Sequence, residues 1–424
     1  MTMTIGQAFD TLFGPDAPVA FEAFDGSTGG SGEGYRVRLL NPEGLNYLIT
    51  APGDLGLARA YLQGDLVVEG LDEGDPYDFL VLMKDRLSMT RPAVHDVKDY
   101  VTLVRRYGLK PPTLPEIETP SPVRRLAHGL RHGRRRDADA IHHHYDVSNT
   151  FYEMLLGPSM AYTCACYPTE DATLEEAQEH KFDLVCKKLG LQPGMRLLDV
   201  GCGWGGMVMH AVKNYGVTAI GVTLSGEQAE WGAAKLREEG LGDRAEIRHQ
   251  DYRDVIETGF DAISSIGLTE HIGPKNYPSY FEFLASHLRE RGRLLNHCIT
   301  RPDNQHAGIP SRGFINRYVF PDGGLTGSGD IVRVMEDTGF EVQHQENLRM
   351  HYARTTRAWC KNLSANWDKC VLETGLQTAR VWGLYLAGSS LGFERNEIQL
   401  HQVLATRTDA LGDASYPLRH TFGV

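Results

Sequence analysis

Between residues 195 and 300 the chain alternates short apolar runs with segments of helical character. MRLLDVG (195–201) reads as a buried strand ending in glycine, and VTAIGVTL (217–224) as a second. AEIRHQD (245–251), FDAISSIG (260–267) and GRLLNHCI (292–299) supply a third, fourth and fifth. Short apolar runs bounded by turn formers are what a strand covered on both faces requires. Helices fit between them. One follows the glycine-rich turn after the first strand and runs through Tyr215. SGEQAEWGAAKLREEG opens on a serine N-cap and stops at a glycine, and YPSYFEFLASHLRE leads into the fifth strand. Alternation of this length predicts an α/β fold with a doubly wound parallel sheet, in which ligands sit at the carboxyl ends of the strands.

The chain before this region reads differently. Tyr35 to Leu40 and Tyr47 to Ala51 look like strands, and Leu55 to Gln63 and Asp75 to Arg86 like helices. A smaller α+β domain is therefore expected over residues 1–110. The connector LKPPTLPEIETPSPV (109–123) carries too many prolines for a continuous helix. The expected division is an amino-terminal domain (1–110), a proline-rich and basic linker (111–136) and a second domain (137–410). No internal repeat is visible.

At 424 residues, with 41% hydrophobic and 23% charged positions, the composition is that of a globular protein of more than one domain. No run approaches the roughly 20 apolar residues of a membrane span. The opening MTMTIGQAFDTLFGPD has neither a basic start nor a proper apolar run, so a cytoplasmic protein is expected. Seven cysteines without paired CxxC elements point away from structural zinc and a disulfide framework, and no metal site is expected. A net charge of −12 argues against nucleic acid as a partner. The charge is uneven, however. Arg124, Arg125, Arg131, Arg134, Arg135 and Arg136 cluster with His128 and His132, without an acid until Asp137. This stretch is either a solvated surface or a patch attracted to anionic lipid headgroups.

Candidate chemistry starts at the first strand's end, Asp199-Val-Gly201-Cys-Gly203-Trp-Gly205-Gly206. Glycines let a backbone approach a ligand closely and open the next helix. A dinucleotide site also wants an acid about 20 residues on, for the ribose hydroxyls. Here the second strand ends in Thr223-Leu224-Ser225, with no acid. The turn is thus better suited to S-adenosylmethionine than to NAD; the plain alternative is a turn that only packs helix on sheet.

LLDVGCGWGGM, GVTLSGEQ and QDYRD together resemble the S-adenosylmethionine domain of the cyclopropane-fatty-acid synthase family, which includes the mycolic acid cyclopropane synthases. The resemblance continues through HHYDVSNTFYEMLLGPSMAYTCACY, IGLTEHIGPKNYPSYF, RYVFPDGGL, HYARTTRAWC and LGFERNEIQLHQV, covering nearly all of 140–405. Residues 1–110 resemble the family's lipid-facing amino-terminal domain mainly in DLGLARAYLQGDL. The resemblance implies a Rossmann-like class I methyltransferase sheet and a cytoplasmic enzyme working at the inner face of the membrane. Its substrate would be the cis double bond of an unsaturated phospholipid acyl chain, and the assignment leaves room for a homodimer.

The resemblance also implies cofactor contacts at Tyr162 and Thr163, along Leu197 to Gly205 (Asp199, Gly201, Gly203, Gly205), at Thr223, Leu224, Ser225 and Gln228, and at Tyr252 with Arg253. Leu224 and Tyr252 would flank the adenine. A bound bicarbonate would serve as base, held by Cys164, Glu270, His297, Ile299 and Tyr352. Taken singly, each of these has an ordinary reading as a core or capping residue. His142, His143 and His144 resemble a metal tract, but His144 belongs to the family's HYD element and is read as structural. One departure is Thr269, where the family's synthases usually carry an aromatic or apolar residue. A polar group there could steer the reaction from a cyclopropane towards an exocyclic methylene. Two other readings remain open: a small-molecule N-methyltransferase and a non-catalytic lipid-binding protein. Calorimetry is expected to show binding of S-adenosylhomocysteine and none of NAD; the reverse would remove the cofactor assignment.

Overall fold

The computed structural model describes residues 3–32, 34–87, 97–107, 113–118, 147–305, 313–319 and 324–422. The basic stretch, most of the proline-rich connector and the HHHYD element lie outside the described residues. The chain forms two compact units. One comprises Met1–Ala127, Pro310–Val319 and Leu363–Leu391; the other comprises His128–Ile309, Phe320–Asn362 and Gly392–Val424. The expected succession of 1–110, linker and 137–410 is corrected in one respect: two later segments belong with the amino-terminal unit. Their physical tie is hydrogen bonding to its residues. Arg380 donates to Glu73 from Nε at 3.0 Å, and Ser364 Oγ donates to Asp72 Oδ2 at 2.6 Å.

The first unit carries a small sheet of β1 (Ala20–Ala23), β2 (Thr28–Gly29), β3 (Arg36–Leu39) and β4 (Leu66–Glu69) in the order β2-β1-β3-β4. The pair β1–β3 is parallel; β1–β2 and β3–β4 are antiparallel. Phe21, Val37, Leu39, Leu66 and Val68 alternate inward as its core. The strand expected at Tyr47 to Ala51 is instead the end of a helix, Pro42–Thr50. Asn41 caps it by accepting from Gly44 N, Pro42 presets the first turn, and Leu45 and Tyr47 are buried. Local apolar content read as strand was overruled by this upstream start signal.

Glu118 is a buried charge of this unit. Arg59 donates to both of its oxygens, Nε to Oε1 at 2.7 Å and Nη2 to Oε2 at 2.6 Å. Arg317 Nε donates to Oε2 at 2.8 Å, and the Tyr318 hydroxyl donates to Oε1. Burial alone would raise this carboxyl's pKa, but the bonds from Arg59, Tyr318 and Arg317 outweigh it and hold it below the ordinary value. Breaking a buried pair from one side strands the other charge. Glu118→Ala is therefore expected to destabilise this unit by about 3–5 kcal/mol. A thermal melt showing less than about 1 kcal/mol would contradict that, since such a value is typical of an exposed pair.

The second unit holds the large sheet. Its strands are β5 (Arg196–Val200), β6 (Thr218–Thr223), β7 (Ala245–His249), β8 (Phe260–Ile266), β9 (Leu288–Thr300), β10 (Phe340–Asn347) and β11 (Gln399–Arg407), ordered β10-β11-β9-β8-β5-β6-β7. The five strands read from sequence are all present, and their pairings are parallel. The sheet is mixed, however, because β11 runs antiparallel to both β9 and β10. Successive residues face opposite sides: Leu197 and Leu295 join one buried cluster, Leu198 and Leu294 another. The winding direction reverses between β5 and β8, so a crevice opens at their carboxyl ends, where both candidate sites lie.

Candidate active site

The turn after β5 has the backbone a ligand cradle needs. Gly201, Gly203 and Gly205 have φ of 78°, 55° and 84°, a region that L side chains rarely adopt. A Cβ on Gly205 would lie 2.1 Å from Ile247 Cδ1, whereas a Cβ on Gly203 meets nothing within 4 Å. The turn thus packs tightly on one side and is open on the other. Gly205 begins the helix Gly206–Tyr215 without a side-chain cap, leaving amide groups available to an incoming ligand. The amides of Gly201 and Cys202 both donate to Val222 O, at 2.9 and 3.0 Å, which ties the turn to β6.

The other expected cofactor residues lie at the ends of β5 and β6, just after β7, and in the segment before Leu174. Asp199 is buried and accepts from Ser264 Oγ at 2.6 Å; burial pushes its carboxyl up to about 6. Thr223 Oγ1 donates to Gln228 Oε1 at 2.8 Å, and Ser225 caps the helix Gly226–Glu238 by accepting from Gln228 N. Leu224 O contacts a His249 ring nitrogen at 3.1 Å. Tyr252 stands edge-on to Tyr280 and Phe283, centroids 5.2 and 5.1 Å away, so its ring plane is fixed. Arg253 is folded onto Asp251, with Nε and Oδ1 2.9 Å apart. Tyr162 packs against Trp359 at 5.4 Å, and Thr163 Oγ1 accepts from Lys181 Nζ at 3.0 Å. Sequence reading missed Lys181. Its side chain is buried, and burial pulls its ammonium down to about 8.

A second cluster adjoins, on β9 and the short helix Thr269–Ile272 that follows β8. Gly267 N donates to His297 O at 2.8 Å, closing the β8 end onto β9. Glu270 is 8% exposed, and its Oε1 accepts from Ile299 N at 3.0 Å. Glu270 Oε2 is buried with no hydrogen-bond partner among the described residues. The same holds for Nε2 of His297, which is 1% exposed. Burial pushes Glu270 up to about 7 and pushes His297 well below its ordinary value, with Lys181 and Lys188 adding repulsion. His297 Nδ1 lies 3.1 Å from Gln402 Nε2. Cys164 is wholly buried; its Sγ lies 3.2 Å from Ala165 O and 3.9 Å from Leu348 O, and burial keeps the thiol protonated. Leu348 O also accepts from Tyr352 N, and Tyr352 stacks on Phe393 at 4.6 Å. Leu348 N in turn donates to Leu400 O, opposite Ile299, so one chain of bonds joins Cys164, Tyr352 and Glu270's neighbourhood.

Comparison with known proteins decides the family. The model for mycolic acid cyclopropane synthetase matches residues 132–403. A probable fatty acid methyltransferase of Mycobacterium tuberculosis is 56% identical over 95% of this chain and 94% of its own length. The chain belongs to this family of S-adenosylmethionine-dependent methyltransferases. The cyclopropane-fatty-acyl-phospholipid synthase of Escherichia coli K12 is 31% identical over 88% of this chain and 87% of its own. A mycolic acid cyclopropane synthase crystallised with SAH and CTAB superposes with a TM-score of 0.60 at 32% identity, covering 63% of this chain and 97% of that one.

Ile299, which the resemblance places among the ion's ligands, donates its amide to Glu270 Oε1. The Thr269 hydroxyl donates to Asn296 Oδ1 at 2.6 Å. Cys164, Glu270, His297 and Tyr352 are all buried.

Glu270 titrates above its unfolded value of 4.5. The stability contributed by its protonated form is complete below pH 4.5 and is lost as pH rises through about 7. Above pH 7 the buried charge costs about 3 kcal/mol, at 1.36 kcal/mol per pKa unit. Glu270→Gln should therefore melt a few degrees higher than wild type at pH 8, with the gap closing towards pH 5. A gap that did not change between those pH values would show that the carboxyl is not raised.

Proposed function

We propose that the protein transfers a methyl-derived carbon from S-adenosylmethionine to the cis double bond of an unsaturated phospholipid acyl chain. The product would be a methylene-branched or a cyclopropane chain. A bicarbonate ion bound between Glu270 and His297 would remove the proton. The observation that carries this reading is the pair of buried polar atoms, Glu270 Oε2 and His297 Nε2, that have no partner among the described residues. Buried polar groups are ordinarily paired, so two orphans at the adjoining ends of β8 and β9 mark a place for a small polar ligand.

When bound, S-adenosylmethionine supplies an electrophilic methyl; an alkene that takes it up becomes a carbocation. The open glycine turn, Thr223, Gln228 and Tyr252 are the groups to hold the cofactor. Cys164, Tyr162, Tyr352 and Trp359 are apolar or weakly polar and mostly buried, so they keep water from the cation. Glu270, as a carboxylate, accepts the ion's hydroxyl proton at Oε2 and so orients the ion's free oxygens. A separate ion avoids placing a protein nucleophile where the methyl donor could alkylate it. The E. coli relative's name supports a phospholipid substrate. No helix among the described residues is long and apolar enough to cross a membrane. Docking at a membrane surface would instead rest on the basic stretch 124–136, at about 1 kcal/mol per basic side chain near an anionic leaflet.

Glu270→Ala is expected to bind S-adenosylhomocysteine as the wild type does, while turnover on phospholipid vesicles falls by about 10²–10⁴. Depleting bicarbonate should slow the wild type reversibly. Near-normal turnover in Glu270→Ala, or indifference of the wild type to bicarbonate, would rule out the proposed proton removal.

A further inference from the structure

His297 contributes a nitrogen to the anion site only if its proton is on the correct side of the ring. A neutral imidazole has one N–H and one lone pair, and the partner of the other nitrogen decides which is which. The structure supplies that partner through a buried relay. Gln402 lies directly opposite His297 in the β9–β11 register, so their side chains share a face. Gln402 Nε2 is 3.1 Å from His297 Nδ1, and Gln402 Oε1 is 2.6 Å from Lys188 Nζ. Gln402, His297 and Lys188 are 0%, 1% and 1% exposed, so water does not compete for these bonds. Lys188 also bonds Glu346, which balances its charge.

The chemistry of the relay runs one way. An ammonium only donates, so it fixes the Gln402 carbonyl oxygen towards itself. The amide NH₂ must then face His297, and it only donates. Nδ1 is left as acceptor, and the ring proton goes to Nε2, the atom without a partner among the described residues. We propose that Lys188 and Gln402 are positioning residues that lock His297 in the Nε2–H tautomer, making it a hydrogen-bond donor to the anion. This rests on the anion site proposed above. It also completes that site's logic: Glu270 accepts from the ion's hydroxyl while His297 donates to an ion oxygen, a polarity that selects a singly protonated oxyanion.

Nitrogen-15 NMR of the full-length protein tests this, with the His297 signals assigned by their loss in His297→Gln. The wild type should show a bare Nδ1 and a protonated Nε2. Gln402→Glu keeps the shape and the Lys188 contact but replaces the donor by a carboxylate, so it should move the proton to Nδ1. Its kcat should fall at least about tenfold, as for other supporting-shell changes, with KM for S-adenosylmethionine unchanged and a higher bicarbonate requirement. Lys188→Met should lose kcat similarly, and Lys188→Arg, which keeps a donor at Gln402, should recover most of it. A wild-type His297 carrying its proton on Nδ1, or doubly protonated at neutral pH, would overturn the proposal even if the Gln402 and Lys188 variants failed to fold. If bicarbonate proved irrelevant while the Nε2–H tautomer was observed, the anion reading would fail and the relay would stand.

Discussion

The pairing of β11 with β9 is the constraint on which the polar interior depends. Eight residue pairs run antiparallel from Gln399–Thr300 to Thr406–Arg293. Through this register Gln402 faces His297, Leu400 faces Ile299, and His401 Nδ1 comes within 2.8 Å of Thr300 Oγ1. A slip of one residue would turn Gln402 to the other face and leave Nδ1 of His297 as unpartnered as its Nε2. Neighbouring Leu404 and Leu295 are wholly buried, so such a slip would also expose core. Hydrophobic burial thus fixes the placement of the few polar atoms that could do chemistry.

The parallel part of the sheet was legible because buried strands announce themselves. LLDV and FDAISSI are apolar runs between glycines, and Ser225 and Gly240 bracket their helix. The two strands at the other edge gave no such signal. FEVQHQEN is half polar along β10, and QLHQVLATR carries His401, Gln402 and Thr406 among its buried residues. His401 and Gln402 are paired with Thr300, His297 and Lys188, tertiary partners that a local pattern does not contain. The same reason hid Lys188, which looks like a solvated lysine at a helix end until Glu346 and Gln402, more than 150 positions away, are seen to meet it.

The candidate site was legible only in part. The glycine turn and the missing acid after β6 spoke for the cofactor directly. Glu270, His297, Cys164 and Tyr352 came from family resemblance, and sequence offered no means of seeing that Ile299's amide is spent on Glu270. Arg253 likewise carries a charge that Asp251 already occupies.

Burial that lifts the Glu270 carboxyl to about 7 makes its charge sensitive to acidity near neutrality. On the proposed reading, occupancy needs two deprotonations at once: Glu270 as carboxylate, and dissolved carbon dioxide converted to its hydrated anion. Both fractions fall together as the pH falls. Their product changes faster than either, so lipid modification would shut down over a narrower span of pH than one titrating group allows.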